Sequence, residues 1–485
     1  MKWKDTVFSL GVSLVLVLFL AGYSEAIKCV NPKGVFGCFS TIQEAVNAAR
    51  PGETVQIFPG TYLETVVISA DKRGLTLVGI AAGRVIHQRA VLKSPLGSDL
   101  GIRDISLGPQ VVIDDPSLFT DSGDDTILIK AEDVTIKNIT INNADNDGIH
   151  SDPNAEGTKV INVRILGADQ DGIDLEGDNG FITKCLIRCA GRQEADQGDG
   201  IEVEGNTKVL FNTIQNASDQ GIDIEGDNTV VEGNFISNVD RQGIASEGAN
   251  VRIIKNTIEN CREEGIRAIG DNPQIVSNHV NCTFDNGIIV ECLNCCEGKI
   301  AFNEVKNAVN EQIADGIEII AGSAGLKVIF NKAIRNGDDG FDLSFSDNSG
   351  ILIQGNEALE NGKEDGADGF EIDGQDHEIK ENLAKGNFDD GFNITGENHF
   401  LFGNIALENC GDGIDVAPPA KDIKVKANLA FDNLRVGIKI GNVTEDNTVT
   451  LNTARGNRID FCDGGNNTNI VPPNFFGTTS VFPCP

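Results

Sequence analysis

The sequence predicts an all-β solenoid, in which short strands wind through stacked and nearly identical turns. A unit of about 22 residues recurs between residues 126 and 460, and each copy carries a Gly-Ile or Gly-Phe step. The residues after this step alternate between apolar and polar, the pattern of a half-buried strand. Because so short a repeat cannot bury its own apolar side chains, neighbouring copies must stack. The anchor glycines are Gly148, Gly172, Gly200, Gly221, Gly243, Gly265, Gly287, Gly316, Gly340, Gly369, Gly391, Gly413 and Gly437.

The first 26 residues are predicted to be a secretory signal peptide. Lys2 and Lys4 precede an apolar stretch from Val7 to Gly22, and small residues suit cleavage after Ala26. No later segment is long and apolar enough to span a bilayer. We therefore expect a secreted protein that is extracellular, periplasmic or on the cell surface and is not inserted in the membrane.

Residues 27–125 are expected to form an N-terminal cap and the first, irregular coils. Ser40 and Gln43 fit a capping box at the start of a short α-helix. Such a helix would cover the first turn, whose apolar side chains and strand edges are otherwise exposed. The apolar face of this helix would consist of Ile42, Ala45, Val46 and Ala49.

In residues 126–460 each turn is predicted to hold three short strands. In the copy that begins at Gly221, two isoleucines alternate with acidic residues, a Gly-Asp-Asn turn follows, and Val230 and Phe235 begin the second and third strands. Parallel strands joined by crossovers wind almost always to the right. The predicted fold is therefore a single-stranded right-handed parallel β-helix, with a C-terminal tail of residues 461–485 folded over the last turn.

Asparagine recurs at two positions of the repeat, which indicates ladders of side chains inside the corners. Asparagine tolerates the left-handed backbone of a sharp corner, and its amide can bond its counterpart about 4.8 Å away in the next turn. The first series, interrupted only by Cys185, is Asn138, Asn162, Asn212, Asn234, Asn256, Asn278, Asn303, Asn331, Asn356, Asn382, Asn404, Asn428 and Asn452. The second is Asn216, Asn238, Asn260, Asn307, Asn336, Asn361, Asn409, Asn433 and Asn457.

The charge of the chain limits its partners. A formal net charge of -34 repels nucleic acid and anionic membranes. It attracts cations, and calcium is the obvious one. We expect a monomer that has no nucleic-acid partner.

Twelve cysteines suit an oxidising compartment. The terminal cysteines are expected to form one disulfide at each end of the solenoid. A third group can form disulfides, remain as buried thiols or hold zinc, and disulfides or thiols are favoured because no second CxxC motif is present. The terminal pairs are Cys29 with Cys38 and Cys462 with Cys484, and the third group is Cys292, Cys295 and Cys296, with Cys261 and Cys282 nearby.

Two segments of the N-terminal region carry a family resemblance. They are residues 41–55, TIQEAVNAARPGETV, and residues 59–64, PGTYLE. Together with the Asp-Gly-Ile and asparagine repeats, they resemble the pectate-lyase-like right-handed parallel β-helix superfamily over most of the mature chain. The resemblance implies this fold. It implies no single activity, because the superfamily includes lyases, hydrolases, esterases, epimerases and non-catalytic surface proteins.

Two acidic columns are predicted on the outer face, at the residues two and four positions after each anchor glycine. Equivalent carboxylates in adjacent turns lie about 4.8 Å apart and repel by about 1 kcal/mol per pair in water. Some of them must therefore bind cations or hold protons. The first column is His150, Asp174, Glu202, Asp223, Ala245 and Arg267, and the second is Asp152, Glu176, Glu204, Glu225 and Glu247.

Three interpretations of this acidic face stay open: a calcium site, a catalytic pair of carboxylates acting on a glycan, or a solvated surface. Extra residues before Gly200, Gly316 and Gly369 are expected beside the same face, either as groove walls or as tolerated insertions. The candidate calcium ligands are Asp174, Glu176, Glu202, Glu204, Asp223 and Glu225. The candidate catalytic residues are Asp174, Glu202 and Asp223 with His150 or Arg267.

The aromatic content argues against catalysis on sugars, because the mature chain would retain no tryptophan and a single tyrosine, Tyr62. Phenylalanine is expected in the core. The sequence favours a secreted polysaccharide-directed protein that binds calcium on the acidic face, and it leaves open whether the protein is also a lyase or hydrolase. Its partner would be a polysaccharide or cell-surface glycan. The alternative is a non-enzymatic extracellular or surface-layer solenoid.

Overall fold

A computed structural model describes most of the chain outside its N-terminus. The described residues are 27–80, 88–90, 103–105, 111–114, 124–191, 198–292, 297–310, 314–320, 322–363, 366–481 and 484. They form a parallel β-solenoid of about 16 turns of roughly 24 residues each, which confirms the predicted fold class. The predicted signal peptide lies outside the described residues. No helix in the described part of the chain is long and apolar enough to cross a membrane.

Each regular turn contributes one strand to each of three parallel sheets, named A, B and C in the order in which the chain passes through them. Every strand bonds to its equivalents one turn away, so residues at the same position of the repeat lie above one another. Gln88–Ala90 and Arg103–Ile105 form a separate antiparallel pair.

The strands of sheet A are Lys28–Val30, Thr54–Ile57, Thr76–Gly79, Thr135–Lys137, Lys159–Ile161, Phe181–Thr183, Lys208–Leu210, Val230–Glu232, Arg252–Ile254, Gln274–Val276, Lys299–Ala301, Lys327–Ile329, Leu352–Gln354, Glu378–Lys380, Phe400–Phe402, Lys424–Lys426, Thr448–Thr450 and Asn469–Val471. Those of sheet B are Gly60–Leu63, Val111–Asp114, Thr140–Ala144, Arg164–Ala168, Leu186–Arg188, Thr213–Gln215, Phe235–Val239, Thr257–Cys261, His279–Thr283, Glu304–Lys306, Lys332–Ile334, Glu357–Leu359, Leu383–Lys385, Ile405–Leu407, Leu429–Phe431, Thr453–Arg455 and Phe475–Phe476. Those of sheet C are Val66–Ile68, Ile127–Ile129, Ile149–Ser151, Ile173–Leu175, Ile201–Val203, Ile222–Ile224, Ile244–Ser246, Ile266–Ile269, Ile288–Glu291, Ile317–Ile319, Phe341–Leu343, Phe370–Ile372, Phe392–Ile394, Ile414–Val416, Val436–Ile440, Ile459–Asp463 and Thr479–Val481.

The anchor glycines and the residues that follow them build the core beneath sheet C. A Cβ on Gly221 would lie 2.6 Å from the carbonyl oxygen of Gly243 and 2.4 Å from Cγ2 of Ile236, so only glycine fits. The side chains that follow the glycines are buried, and the rings of Phe341, Phe370 and Phe392 stack with centroids 4.7 and 4.8 Å apart. The expectation that phenylalanine lies in the core is confirmed for these three rings.

The N-terminal helix covers the first turn as predicted, although its cap is one residue later. The helix spans Ile42–Ala48, and its N-cap is Thr41, whose side chain accepts from the backbone N–H of Glu44. Thr41 and Glu44 therefore replace the predicted Ser40 and Gln43. Gln43 instead bonds both backbone groups of Val67, at 2.7 and 3.1 Å, and so satisfies an exposed strand edge. Two short 3-10 helices, Val35–Gly37 and Ala70–Lys72, complete this region.

The first asparagine series forms a buried ladder at the corner between sheets A and B. In each turn the side-chain oxygen accepts from the backbone N–H and the amide of the asparagine one turn earlier, as Asn404 does from Asn382 at 3.0 Å. The ladder begins at Asn212, because Asn138 and Asn162 lie one residue earlier in the corner, where the backbone is left-handed. In later turns other residues, such as Phe211, take that left-handed position.

The second asparagine series lies at the corner between sheets B and C, but its members occupy two different positions of the turn. Up to Asn307 its members have left-handed backbone, whereas from Asn336 onward they are buried and form another ladder. A further buried ladder follows sheet C, where His377 and His399 stack with ring centroids 4.8 Å apart and accept backbone N–H groups. These two histidines are structural.

The ends of the solenoid carry the two predicted disulfides, Cys29–Cys38 and Cys462–Cys484. Cys292 is also disulfide-bonded, which favours a disulfide over zinc there, while Cys295 and Cys296 lie outside the described residues. Cys261 and Cys282 are free thiols.

The predicted C-terminal tail adds one more turn. Its strands Asn469–Val471, Phe475–Phe476 and Thr479–Val481 pair in parallel with the preceding turn in all three sheets. The residues after Asp460 thus extend the solenoid.

Replacing Asn404 with alanine should destabilise the solenoid by about 1–3 kcal/mol, because the backbone N–H of Asn382 loses its buried acceptor. The urea dependence of unfolding measures this change. Asn206→Ala, at an exposed turn position, is the matched control and should leave stability nearly unchanged. Equal effects from the two substitutions would contradict a stabilising role for the ladder.

Candidate functional site

The first predicted acidic column lies on the outer face of sheet C. His150 pairs in register with Asp174, Asp174 with Glu202, and Glu202 with Asp223. Ala245 follows Asp223 and separates it from Arg267. The structure therefore brings together four of the five candidate catalytic residues and leaves Arg267 two turns from the nearest of them. Whether any of them is catalytic stays a prediction.

The residues of the second column divide between this cluster and a neighbouring cleft. Potential ligand atoms of Glu176 lie within 4.8 Å of those of His150 and Asp174, and those of Glu225 lie within 4.8 Å of Glu202 and Asp223. Glu204 and Glu225 both line an open cleft of about 540 Å³ at the turns between sheets C and A. The six candidate calcium ligands thus face one side of the solenoid, but they do not form a single coordination sphere.

A third acidic column, which the sequence analysis missed, lies immediately before the anchor glycines. The carboxylate of Asp147 accepts the backbone N–H of Asp171 at 2.9 Å, Asp171 accepts that of Asp199 at 2.5 Å, and Asp199 accepts that of Gln220 at 2.7 Å. The signal was the aspartate in the repeated Asp-Gly-Ile and Asp-Gly-Phe steps. Because only one oxygen of each carboxylate is used in these bonds, the other can serve the adjacent outer face.

His150 lies at the N-terminal end of the cluster, surrounded by carboxylates. Its Nδ1 lies 2.6 Å from Oδ2 of Asp174 and 3.6 Å from Oδ2 of Asp147, and its Nε2 lies 3.7 Å from Oδ1 of Asp152. The adjacent carboxylates of Asp147 and Asp174 raise the pKa of His150 to about 11. At neutral pH this imidazolium balances part of the negative charge and is not available as a general base.

The carboxyl groups next to His150 cannot all be ionised at neutral pH. Burial, followed by repulsion from neighbouring carboxylates, raises the pKa of Asp171 to about 7 and that of Glu202 to about 9. Burial also raises the pKa of Asp223 to about 6 and that of Asp199 well above its usual value. At neutral pH Asp199, Glu202 and part of Asp171 must therefore hold protons or share a cation.

Asp174 offers a ligand atom to such a cation. Its side chain is buried, and its Oδ1 has no hydrogen-bond partner among the described residues. Burial raises the pKa of Asp174 even though Oδ2 is bonded to His150. A buried carboxylate oxygen without a partner costs free energy, which a bound cation would recover.

A second acidic segment continues along the same face. Before the anchor glycines the uncharged Gln220, Gln242 and Asn286 interrupt the acidic column, with Glu264 between them, and aspartate resumes at Asp315. Lys439 ends this segment by pairing with Asp412 at 3.0 Å and Asp415 at 2.9 Å. In this segment the buried aspartates before the anchor glycines are Asp315, Asp339, Asp368, Asp390 and Asp412. The acidic residues on the outer face of sheet C are Glu318, Asp342, Glu371 and Asp415.

Aromatic side chains are more exposed than the sequence suggested. Phe211, Phe302 and Phe330 occupy left-handed corner positions between sheets A and B and are about half exposed, so the expectation that phenylalanine stays in the core is wrong for them. Tyr62 is buried, and its hydroxyl donates to the carbonyl of Phe58. Among the described residues, none of these four rings lies on the acidic face of sheet C.

The predicted groove walls fall largely outside the described residues. They include residues 192–197, 311–313 and 364–365, in the longer connections before Gly200, Gly316 and Gly369. The described residues on this side of the solenoid therefore belong mainly to the strands of sheet C, which would form the base of the predicted groove.

A comparison with protein families matches the family described as "Right handed beta helix region" at residues 105–209, 182–333 and 343–480. These matches cover well over half of the chain. The chain belongs to the right-handed β-helix family. No curated protein matches the sequence.

Several solved structures resemble this β-helix protein. An alginate lyase from Paenibacillus sp. is 13% identical, with 60% of this chain and 91% of that chain covered and a TM-score of 0.35. The A-module of a mannuronan C-5 epimerase from Azotobacter vinelandii is 12% identical, with coverages of 89% and 94% and a TM-score of 0.30. A pectin methylesterase from carrot is 12% identical, with coverages of 63% and 81% and a TM-score of 0.30. No functional conclusion follows from similarity at this level.

Stability of the metal-free protein should fall as the pH rises from about 4 to about 8. Burial and its carboxylate neighbours raise the pKa of Asp390 to about 8, so the folded state holds a proton that the unfolded state releases near pH 4. Thermal unfolding in chelator across this range measures the effect. Asp390→Asn should reduce the slope of this dependence, whereas Asp422→Asn, at an exposed turn, should not. Stability that rises with pH would contradict the protonated column.

Proposed function

We propose that this chain is a polysaccharide-directed protein that binds calcium on the outer face of sheet C, between His150 and Glu225. The observation that carries the proposal is the register of Asp174, Glu202 and Asp223 in consecutive turns, beside the carboxylates of Asp171 and Asp199. The function follows from the site's charge, its oxygen ligands and its linear shape.

The ligand chemistry favours calcium over softer metals. Apart from His150, which is held as a cation, the cluster offers carboxylate oxygens only. Calcium accepts six to eight oxygen ligands in flexible geometry, whereas magnesium requires a near-ideal octahedron at short distances. Carboxylates that project from adjacent strands about 4.8 Å apart suit the more flexible ion. Asp174 supplies the unpartnered oxygen.

The shape and charge of the face support a linear polymer as the partner. Equivalent side chains repeat along the solenoid axis at a constant spacing, which matches the repeating chemistry of a polysaccharide. An acidic polysaccharide would be repelled by the carboxylates alone. Calcium shared between protein and polymer removes this repulsion, so we infer that binding of acidic polysaccharides requires the ion. The disulfides at the two ends suit an oxidising compartment, where such polymers are encountered.

Calcium should stabilise the wild-type protein at pH 8, by about 2.7 kcal/mol at a concentration one hundred times its Kd. Glu202→Gln and Asp174→Asn should each weaken calcium binding at least about tenfold, because each removes a ligand charge. Isothermal titration and thermal unfolding, with and without chelator, measure both effects. Glu381→Gln, at an exposed corner of sheet A, is the matched control.

Two results would count against the calcium site. One is unfolding that does not respond to calcium or chelator at pH 8. The other is an equal loss of calcium affinity in Glu381→Gln and Glu202→Gln, which would indicate diffuse attraction by the net charge.

Catalysis is the second candidate, and one observation favours it. Glu202 and Asp223 lie in adjacent turns, and their surroundings raise the pKa of Glu202 to about 9 and that of Asp223 to about 6. At pH 7 to 8 this pair provides a protonated acid beside an ionised carboxylate, the combination that glycoside hydrolysis requires. The remaining alternative is a non-enzymatic solenoid whose acidic face only binds ions.

A panel of acidic and neutral polysaccharides, tested with calcium and with chelator, separates these functions. The proposal predicts calcium-dependent retention of acidic polymers, weakened about tenfold or more by Glu202→Gln. If the site is also catalytic, the wild type should release new chain ends, and Asp223→Ala should abolish that release with little change in the unfolding temperature. Absence of calcium-dependent retention across the panel would refute the polysaccharide proposal even if calcium binds.

A further inference from the structure

The outer face of sheet A is basic, in contrast to that of sheet C. In its strands between residues 135 and 450 the middle residue is buried in the core and the two flanking residues point outward. The acidic residues at these outward positions are Glu232 and Glu378, and each pairs with a lysine, Lys255 at 3.1 Å and Lys380 at 2.6 Å. At the first outward position of the strands the cations are Lys159, Lys208, Arg252, Lys299, Lys327 and Lys424. A chain with a net charge of -34 thus has one positive face.

These six cations have no ion-pair partner among the residues that the structure describes. Lys299 pairs in register with Lys327, so two lysines stand side by side in adjacent strands about 4.8 Å apart. Like charges directly opposite each other destabilise a sheet. On sheet B, by contrast, Lys332 lies in register with Glu357 and pairs with it at 3.0 Å. An anion bound between Lys299 and Lys327 would remove the repulsion between them.

Two exposed aromatic rings lie beside these lysines, at the corner between sheets A and B. Phe302 and Phe330 are 53% and 49% exposed, and their rings stack with centroids 5.4 Å apart. Nζ of Lys299 lies 5.7 Å from the centre of the Phe302 ring, so this side chain extends across its strand towards the rings. The ring of Phe330 lies over the next turn at Gly355, where a Cβ would come within 2.5 Å of Cε1. Cations and rings therefore form one continuous surface.

The backbone at these two phenylalanines is unfavourable for them. Both residues have left-handed backbone, with φ of 57° at Phe302 and 55° at Phe330. This conformation costs free energy for a bulky side chain, and other turns place Asn162 or Gly233 at the same corner position. Because half of each ring is also left in solvent, burial offsets this cost only in part. A ligand that contacts the rings would account for their presence.

We propose that the outer face of sheet A between Arg252 and Phe330 is a second binding surface for acidic polysaccharides, and that it needs no calcium. The class of polymer rests on the proposed function, whereas the site and its cations are different. Carboxylate or sulfate groups of the polymer pair with Arg252, Lys299 and Lys327. The apolar faces of its sugar rings stack on Phe302 and Phe330.

The direction of the surface suits a linear polymer. Arg252, Gln274, Lys299 and Lys327 occupy one position of four consecutive turns, so the cations follow the solenoid axis. A polyanion laid along this axis meets them one after another. Calcium is needed at sheet C because the polymer meets carboxylates there, whereas sheet A supplies its own cations. An acidic polypeptide would meet the same cations but has no sugar rings to stack on the phenylalanines.

Isothermal titration of the purified protein with polygalacturonate, in chelator, tests the proposal. The wild type should bind, and the affinity should fall as the salt concentration rises from about 50 to about 500 mM, because the contacts are electrostatic. A neutral glucan should not bind. Poly-L-glutamate should bind at least about threefold more weakly than polygalacturonate, since it cannot stack on the rings.

The double variant Lys299→Gln/Lys327→Gln should weaken binding in chelator at least about tenfold, because two charge-assisted contacts are lost. Its matched control is Lys385→Gln/Arg455→Gln, which makes the same change of charge on the outer face of sheet B and should have little effect. Equal weakening by the two double variants would indicate general attraction to positive charge and overturn the proposal.

Phe302→Ser should weaken binding in chelator about threefold to tenfold, because one stacking surface is lost. Phe284→Ser is the matched control, since Phe284 is also 53% exposed but follows sheet B at its corner with sheet C. Thermal unfolding verifies that all the variants fold. Equal effects of the two substitutions, or equal affinity for poly-L-glutamate and polygalacturonate, would rule out recognition of sugar rings on sheet A.

The two surfaces are distinguished by repeating the titration with calcium. Glu202→Gln should remove the increase in affinity that calcium produces and leave binding in chelator unchanged. Binding in chelator without any increase in calcium supports the surface on sheet A and refutes the site on sheet C. An increase in calcium with no binding in chelator has the opposite meaning.

Discussion

The spacing of about 4.8 Å between stacked turns is the constraint on which this structure depends. It is fixed by backbone hydrogen bonds between parallel strands, and it brings every side chain within reach of its own equivalents above and below. A residue that recurs in every repeat therefore forms a column of identical side chains along the solenoid axis. Whether the column stabilises or destabilises the fold depends only on whether that residue can interact favourably with itself.

Asparagine and aspartate show the two outcomes. Asparagine carries donors and an acceptor, so Asn382, Asn404 and Asn428 bond one another, and each amide also donates to a backbone carbonyl of sheet A. Aspartate carries only acceptors when it is ionised. The column that includes Asp368 and Asp390 can accept backbone N–H groups but still places buried charges side by side, which raises the pKa of both carboxyl groups. The acidic column is therefore a source of proton affinity built into the fold.

The same constraint explains the ends. An interior turn is covered by two neighbours, and a terminal turn by one, so each end must be closed by something that is not a turn. At the N-terminus the amphipathic helix provides this cover, and Gln43 completes the hydrogen bonds of the exposed strand. At the C-terminus the strands Asn469–Val471, Phe475–Phe476 and Thr479–Val481 form the last turn that the structure describes.

The sequence by itself determined the solenoid, because the periodic glycines, isoleucines and asparagines are local signals that stacking simply repeats. It also placed Asp174, Glu202 and Asp223 in one column, since strand alternation fixes the face on which a residue lies. The tertiary structure alone showed that most of the aspartates before the glycines are buried and that the predicted C-terminal tail adds one more turn. These properties depend on the lateral packing of the corners and on what lies beyond a turn, and no periodicity along the chain encodes either.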